Sequence, residues 1–254
     1  MSRAGTDPGH TTGWDDPGIV ICTGSGISVA SGLPTFRGPG GLYEENPDLA
    51  SLSDVTRLAD GLDGLWGHWG PLRDTIADAE PNAAHLAIAD LTTRRADVTV
   101  ITMNIDGLHH RAARRVGAPS DTRRLIEIHG TLAKSRCRDR CGHDDWEDTI
   151  AHATAPTCPG CGGPARPAVV LFGEHPDPEP QWFAKRAVRG VTTYVAVGTS
   201  ESVSTGARLA SNARYAGAHM IWVNVEPPPQ PDHWHQIVLG PADETLPALL
   251  ATFP

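Results

Sequence analysis

Short apolar runs alternate with longer segments of helical periodicity along most of the chain. The apolar runs show little alternation of polar and apolar positions, which is typical of strands that are covered on both faces. Strands that alternate with helices predict an α/β fold, a Rossmann-like doubly wound, mainly parallel sheet. The predicted strands are 18–22, 97–102, 125–129, 168–172, 193–197 and 220–225, and the predicted helices are about 81–94, 106–116, 179–190, 202–216 and 243–252.

Two segments interrupt this rhythm. Residues 39–80 have only weak helical periodicity, and residues 135–165 hold four of the five cysteines. We expect these two insertions to pack together as a smaller lobe beside the sheet. The predicted organisation is a flexible leader at 1–15, a Rossmann-like domain built from 16–38, 81–134 and 166–254, and a small helical and metal-binding lobe built from 39–80 and 135–165.

Composition narrows the class of protein. The 254 residues carry a formal net charge of −9, whereas a general nucleic-acid binder presents a basic face. The one basic cluster, at 109–115 with Arg123 and Arg124, is better explained by solvated helix faces, so we predict no nucleic-acid partner.

No apolar run approaches the ~18 residues of a membrane span, and residues 1–16 have no apolar signal-peptide centre. We therefore predict a cytoplasmic protein with no membrane partner.

Four cysteines fall in two close pairs, Cys137-x3-Cys141 and Cys158-x2-Cys161. Four soft thiolates at this spacing predict a tetrahedral, closed and therefore structural Zn²⁺ site. A cytoplasmic setting disfavours disulfides. Replacement of one thiolate by His143 is the alternative. Cys22, in the first predicted strand, is interpreted as a small buried residue and not as a nucleophile.

The stretch GSGISVASGLPTFRG, residues 24–38, follows the first predicted strand. Gly24-x-Gly26 matches the start of the dinucleotide-binding fingerprint, but Val29 stands where that fingerprint has its third glycine. A plain tight turn explains this partial match almost as well. In the dinucleotide interpretation, the two glycines let backbone N–H groups approach a pyrophosphate, and the following helix start adds partial positive charge.

The longer string closely resembles the opening motif of the sirtuin family, the NAD-dependent protein deacylases. Further motifs follow in the family's order over roughly residues 17–240: TMNIDGLHHRAA (102–113), EIHG (127–130), the cysteine quartet, RPAVVLFGE (166–174), VGTS (197–200) and VNVE (223–226). The resemblance implies NAD as a consumed co-substrate, a structural Zn²⁺ and acyl-lysine proteins or peptides as substrates. The products would be nicotinamide, O-acyl-ADP-ribose and free lysine.

The resemblance also assigns residues. It implies NAD contacts at Gly24, Ser25, Gly26, Ile27, Thr35, Phe36, Arg37, Met103, Asn104, Ile105, Asp106, Gly198, Thr199, Ser200, Asn224 and Glu226. Asn104 and Asp106 would hold the nicotinamide carboxamide, since Asn plus Asp can supply one donor and one acceptor. Without the family, both residues could equally cap the helix that begins near 106. His129 is the implied general base for a ribose hydroxyl, and Asn104 the second catalytic residue.

On the substrate side, Val170, Phe172, Gly173, Glu174 and Val203 would form two walls between which an acyl-lysine peptide adds as a strand. Threonine at position 35 resembles the family branch that removes acidic acyl groups. That branch also carries a Tyr-x-x-Arg pair, which grips the acyl carboxylate. In this sequence Trp69 and Leu72 occupy those two positions. Arg73 lies one residue further, about 100° around a helix. We therefore expect a neutral acyl group, with Trp69 and Leu72 lining its pocket; the alternative is that both simply pack the small lobe.

Met103 is a second departure, because most active members carry Gln there and a thioether accepts hydrogen bonds only weakly. We expect slower turnover or weaker NAD binding as a result. Besides a deacylase, two further functions stay open at this point: an ADP-ribosyltransferase or NAD glycohydrolase, and a non-catalytic NAD or ADP-ribose sensor.

Overall fold

The computed structural model describes residues 18–38, 40–119, 121, 123–200 and 204–253. The predicted leader at 1–15 and the predicted substrate contact Val203 lie outside the described residues. The strands are β1 (Ile19–Thr23), β2 (Val98–Thr102), β3 (Leu125–Glu127), β4 (Gly130–Cys137), β5 (Trp146–Glu147), β6 (Ala165–Val169), β7 (Thr193–Val197), β8 (His219–Asn224) and β9 (Gln236–Leu239).

Eight α-helices connect the described strands. They are α1 (Leu42–Glu45), α2 (Pro47–Leu52), α3 (Leu62–Asp78), α4 (Ala83–Arg94), α5 (Leu108–Val116), α6 (Pro178–Ala187), α7 (Ser204–Tyr215) and α8 (Ala242–Ala251). A 3-10 helix, Ser25–Ser31, follows β1 directly. Among the described residues, none of these helices combines the length and apolar character needed to cross a membrane.

The main sheet has six strands in the order β3-β2-β1-β7-β8-β9, and every pairing in it is parallel. Successive side chains of a strand point to opposite faces. Val20 and Cys22 accordingly pack against α6 and α7, and Ile19 and Ile21 against α4 and α8. The predicted Rossmann-like doubly wound sheet is confirmed. Burial raises the pKa of the Cys22 thiol to about 11, so Cys22 is a neutral core residue.

A second sheet, β5-β4-β6, is antiparallel. The apolar run predicted as a strand at 168–172 therefore differs from expectation: only Ala168 and Val169 are in β6, and β6 does not join the main sheet. An apolar run identifies a buried strand but not the sheet to which the strand belongs. The sequence pattern also missed β9, which is mostly exposed, and β4, in which polar residues interrupt the apolar positions.

The smaller lobe is built where α2 and α3 pack on β4 and β6. Leu65 and Trp66 of α3 are fully buried there, and Trp66 Nε1 donates to Ala165 O at 2.9 Å. The two predicted insertions thus pack together as one unit. The exact domain boundaries at 134 and 166 stay predictions, because β4 and β6 run across them.

Candidate active site

The candidate site lies at the carboxyl ends of the main sheet, where the strand order reverses. β1 lies between β2 and β7, and in open α/β sheets a crevice forms at such a switch point. Because the strands are parallel, the segments that follow β1, β2, β3, β7 and β8 all emerge at this edge. The predicted NAD-contact motifs are therefore brought together although they are far apart in the chain.

Two glycine turns are in backbone contact at the switch point. Gly24 N donates to Val197 O, and Gly26 N donates to Gly198 O, both at 3.0 Å. A Cβ on Gly24 would lie 2.6 Å from Gly198 O, and a Cβ on Gly26 would lie 2.8 Å from Gly198 Cα. The amides of Gly24 and Gly26 are thus used inside the protein. In contrast to the sequence-based expectation, these glycines are needed because two backbones touch, not because their own amides face a ligand.

Ser28, Asn104 and Asp106 form a buried hydrogen-bonded cluster beside this contact. Ser28 Oγ donates to Asp106 Oδ2 at 2.8 Å. Asn104 Nδ2 donates to Ser28 Oγ at 3.2 Å and to Gly24 O at 3.1 Å. The three residues are buried, and buried polar side chains are stable only when they are hydrogen-bonded. The cluster therefore holds its members in one arrangement.

Asp106 also stabilises the start of α5, because its Oδ1 accepts a hydrogen bond from the backbone N of Leu108, the first residue of that helix, at 2.9 Å. Burial raises the pKa of Asp106, and the hydrogen bonds from Leu108 and Ser28 oppose part of that rise. Both amide hydrogens of Asn104 are already donated within the protein. Asn104 and Asp106 therefore offer a ligand acceptor atoms, and the donor expected from Asn104 has to come from a neighbouring group.

His129 lies between β3 and β4, with Nδ1 3.1 Å from Met103 O. A carbonyl oxygen only accepts, so Nδ1 carries the proton of the neutral ring and Nε2 is left as an acceptor. Within the described part of the chain, no group is hydrogen-bonded to Nε2. Burial lowers the pKa of His129, and the bond to Met103 opposes this. The ring is therefore neutral at pH 7, which is the protonation state that a general base requires.

Met103 contributes its backbone to the site, and its partly buried side chain packs at the margin of the core. Its backbone N donates to Thr23 O at 3.0 Å, and its backbone O accepts the hydrogen bond from His129 Nδ1. The side chain packs against the α6–α7 face of the sheet. A Cβ on Gly206 would lie 3.0 Å from both the Sδ and the Cε of Met103. The thioether therefore lies against α7, and Gly206 makes room for it.

Thr199 and Asn224 join the ends of β7 and β8. Asn224 Nδ2 donates to Thr199 O at 2.7 Å, and Asn224 Oδ1 accepts from Val225 N at 2.8 Å. Ser200 and Glu226 are exposed on either side of this link. Asn224 thus links the two turns at this end of the crevice.

Aromatic side chains form the wall between the glycine turn and the small lobe. The ring of Phe36 lies 5.6 Å from that of Tyr43 and 6.3 Å from that of Trp69, measured between centroids. The guanidinium of Arg37 lies 5.6 Å from the Tyr43 ring and 5.8 Å from the Phe172 ring. A cation between two ring faces is attracted by both. Thr35 is held in the same wall by a backbone hydrogen bond, which its O accepts from Leu42 N at 2.9 Å.

The segment predicted to pair with a peptide is partly paired already. Val170 N donates to His129 O at 2.9 Å. Phe172 N donates to Ser53 O at 2.8 Å, and Phe172 O accepts from Val55 N at 2.9 Å. The backbone of Phe172 is therefore committed to the small lobe, and an added strand would have to use other groups of 170–174. Gly173 stands in the left-handed region, with a φ of 74°, so the chain turns there.

Trp69 and Leu72 lie on α3, toward the same aromatic wall. Trp69 is 2% exposed, and its indole nitrogen has no partner among the described residues. Arg73 faces away from that wall: it donates to Lys134 O and Ser135 Oγ and pairs with Asp148 at 3.2 Å. The guanidinium is thus buried in the small lobe and paired with a carboxylate.

The four predicted zinc ligands come together. The sulfur atoms of Cys137, Cys141, Cys158 and Cys161 all lie within 4.8 Å of one another, with 3.7 Å between Cys137 and Cys161 and 3.8 Å between Cys141 and Cys158. A zinc tetrahedron with Zn–S bonds of about 2.3 Å has sulfur–sulfur edges of about 3.8 Å. The quartet therefore fits Zn²⁺. His143 instead bonds Asp144 O at 2.7 Å and is not one of the clustered residues.

Three residues of the site were not singled out from the sequence. Ser28 is central to the buried cluster, and Tyr43 holds Arg37. Asn82 caps α4 and donates to Ile27 O at 2.8 Å, which anchors the 3-10 helix after β1. A signal existed only for Asn82, since Asn before a helical pattern is a typical cap. Ser28 and Tyr43 have partners distant in sequence and carry no local signal.

Comparison with known proteins gives a consistent result. The Sir2 family model matches residues 24–205. The chain is 36% identical over 239 residues to NAD-dependent protein deacetylase 2 of Streptomyces coelicolor, covering 92% of this chain and 97% of that protein. It is 37% identical over 233 residues to NAD-dependent protein deacylase 2 of Pyrobaculum aerophilum, covering 91% and 89%.

A solved structure shares the fold as well. The crystal structure of a Sir2 homolog–NAD complex superposes with a TM-score of 0.80 at 30% identity, covering 92% of this chain and 88% of that one. Sequence and fold thus point to the same family over nearly the whole chain.

Proposed function

The chain belongs to the Sir2 family, and from this premise we propose that the switch-point crevice is the active site of an NAD-dependent protein-lysine deacylase. One observation carries the proposal. His129 is held neutral with Nε2 open, and it lies at the same sheet edge as the buried Ser28–Asn104–Asp106 cluster. A general base and a set of acceptor atoms for an amide thereby face one crevice.

The residues of the crevice fit NAD by their chemistry. Asp106 and the Oδ1 of Asn104 would accept from the nicotinamide amide nitrogen, and the backbone amide of Ile105, which lies between them, would donate to its carbonyl oxygen. Gly198, Thr199, Ser200 and the region of the glycine turn at Ser25 and Ile27 would hold the phosphates and the nearer ribose. Asn224 and Glu226 would bind the adenosine ribose. Phe36 would cover the nicotinamide side of the crevice.

When bound, NAD would supply an electrophilic ribose carbon, to which the acyl oxygen of the substrate lysine would bond as nicotinamide leaves. His129 Nε2 accepts the proton of a ribose hydroxyl, and the bond from Nδ1 to Met103 O stabilises the resulting imidazolium. Asn104 holds Ser28 and the turn at Gly24, and so maintains the geometry around the reacting carbon. Preorganised, desolvated groups of this kind need little rearrangement during the reaction.

The substrate is an acyl-lysine in a protein or peptide, held along Val170, Gly173 and Glu174. We propose that the acyl group is neutral. Leu72 occupies the position where an acidic acyl group would need a cation, and the nearby Arg73 forms an ion pair with Asp148. Trp69 and Phe36 offer apolar surface instead. The four-cysteine cluster would hold a structural Zn²⁺, because four thiolates leave no open coordination position.

Product analysis tests the proposal. The purified protein is mixed with NAD and a panel of acetyl-, longer neutral acyl- and succinyl-lysine peptides, and the products are identified by mass spectrometry. O-acyl-ADP-ribose from neutral acyl peptides, lost in His129→Ala, is the expected result. Nicotinamide release without O-acyl-ADP-ribose would instead indicate transfer of ADP-ribose to a side chain or to water. A preference for the succinyl peptide would contradict the neutral-acyl proposal alone.

A further inference from the structure

The turn that holds the first cysteine pair contacts the segment that follows β6 through the side chain of Arg140. Arg140 lies between Cys137 and Cys141, and its Nη2 donates to Glu174 Oε1 at 3.0 Å. Its Nη1 donates to Asp177 Oδ1 at 3.1 Å, just before α6. One guanidinium therefore links the cysteine knuckle, residues 137–141, to two points of the segment that follows β6.

The backbone of Arg140 indicates that this placement is enforced. Among the described residues, Arg140 is the one non-glycine residue with a positive φ, 52°. Its amide donates to Cys137 O at 3.3 Å, which closes the turn of the knuckle. Glycine would adopt this conformation without steric penalty. An arginine in a glycine position, with both ends of its guanidinium paired, suggests that the side chain is what the position requires.

Glu174 stabilises a turn in the proposed peptide segment, residues 170–174. Its Oε2 accepts from Leu171 N at 3.0 Å, and its own N donates to Leu171 O at 3.1 Å. Its Oε1 also accepts from the buried Arg166. The carboxylate thus closes the turn from Leu171 to Glu174, and two guanidinium groups hold the carboxylate. The carboxylate of Glu174 is therefore turned toward the small lobe.

The second carboxylate belongs to the same network. Asp177 Oδ2 accepts from the buried Arg136 at 2.9 Å, and Arg136 also pairs with Asp145 at 2.5 Å. Three guanidinium groups, those of Arg136, Arg140 and Arg166, thus meet three carboxylates. Burial raises the pKa of Asp177, but the charges and hydrogen bonds of Arg136 and Arg140 outweigh it and hold that pKa below its usual range. Asp177 is therefore charged at neutral pH.

We propose that Arg140 is a positioning residue for the acyl-lysine substrate: it holds the Leu171–Glu174 turn in the shape that the peptide binds. The inference rests on the proposed function, since it takes 170–174 as the peptide segment. Among the described residues, the Arg140 guanidinium pairs with Glu174 and Asp177, outside the proposed NAD crevice, so its loss should weaken peptide binding and leave NAD binding intact. The partly exposed guanidinium makes a moderate effect the expectation.

Two substitutions separate the side chain from the strained backbone. Arg140→Gly removes the guanidinium and relieves the positive φ, whereas Arg140→Ala removes it and keeps the strain. Arg138→Ala is the matched control, because Arg138 lies in the same knuckle and pairs with its neighbour Asp139. Each purified protein is assayed for bound zinc, melting temperature, the KM values for peptide and NAD, and hydrogen exchange of the Leu171 and Glu174 amides.

We expect both Arg140 variants to raise the peptide KM about three- to tenfold, with unchanged zinc content and an unchanged KM for NAD. The Leu171 and Glu174 amides should exchange faster, and Arg138→Ala should match the unmodified protein. Arg140→Lys, which keeps one charge, should recover part of the affinity. A normal peptide KM in Arg140→Gly would overturn the proposal, as would an equal effect in Arg138→Ala.

The exchange measurement keeps this inference distinct from the proposed function. Faster exchange in the Arg140 variants together with a normal peptide KM would reject positioning and leave the deacylase intact. Absence of deacylation in the unmodified protein would reject the proposed function and, with it, the role of Arg140.

Discussion

The sheet-edge crevice and the small lobe place their polar groups by different physical means. In the crevice, Asn104 and His129 are fixed by hydrogen bonds to backbone carbonyls and to the hydroxyl of Ser28. In the small lobe, Arg73, Arg136 and Arg166 are fixed by carboxylates. Neutral hydrogen bonds preserve a base that must stay uncharged, whereas buried ion pairs fix shape but penalise the loss of either partner. Under the proposed function, the crevice is the site of the reaction and the small lobe fixes the shape of the substrate segment.

The largest expected effect is on the crevice. His129→Ala should lower kcat by about 10²- to 10⁴-fold, because general-base catalysis contributes on this scale. The melting temperature should change little, since the change leaves the small-lobe ion pairs intact. Steady-state kinetics with an acyl-lysine peptide measures the effect, and His143→Ala, an exposed histidine of the small lobe, is the control. Comparable losses in both variants would erase the division between the two regions.

The second effect belongs to the small lobe. Arg73→Ala removes the guanidinium that pairs with the buried Asp148, which keeps its contacts with Ser135 and His152. Breaking a buried pair costs about 3–5 kcal/mol of unfolding free energy. Denaturant unfolding measures this loss. Arg94→Ala on α4 is the matched control, because its pair with Asp90 is exposed and such pairs contribute about 0.3–0.5 kcal/mol. If the two variants lose equal stability, the ion pairs of the small lobe are not what holds it.

The pH dependence of the rate sharpens the contrast further. Burial lowers the pKa of His129, and a general base works in its unprotonated form. The logarithm of kcat/KM for the peptide should therefore be flat near pH 7 and fall only as the pH drops below about 6.5, the ordinary value for histidine. The pH profile of kcat/KM checks this. An inflection above pH 7 would mean that His129 is not the neutral group described here.

The smallest expected change concerns Met103. Met103→Gln would add a donor and an acceptor at the end of β2, and we expect a modest rise in turnover or in NAD affinity, of about two- to tenfold. Gly206 leaves room for a side chain of this length. The KM for NAD and kcat are the measurements, with Met220→Gln, in the buried core of β8, as a control that should only destabilise. No gain in Met103→Gln would contradict the expectation that Met103 slows turnover or weakens NAD binding.

The sequence by itself determined the family, the alternation of strands and helices, the zinc quartet and His129, because these signals are local: periodicity, paired cysteines and short motifs. Only the tertiary structure showed that the amides of Gly24 and Gly26 donate to the end of β7 and the turn after it. It also showed that Asn104 donates both amide hydrogens within the protein, and that Arg140 holds Glu174. Each of these facts depends on segments that are far apart in the chain. A hydrogen bond or an ion pair between such segments leaves no periodic trace in either of them, so only their packing reveals it.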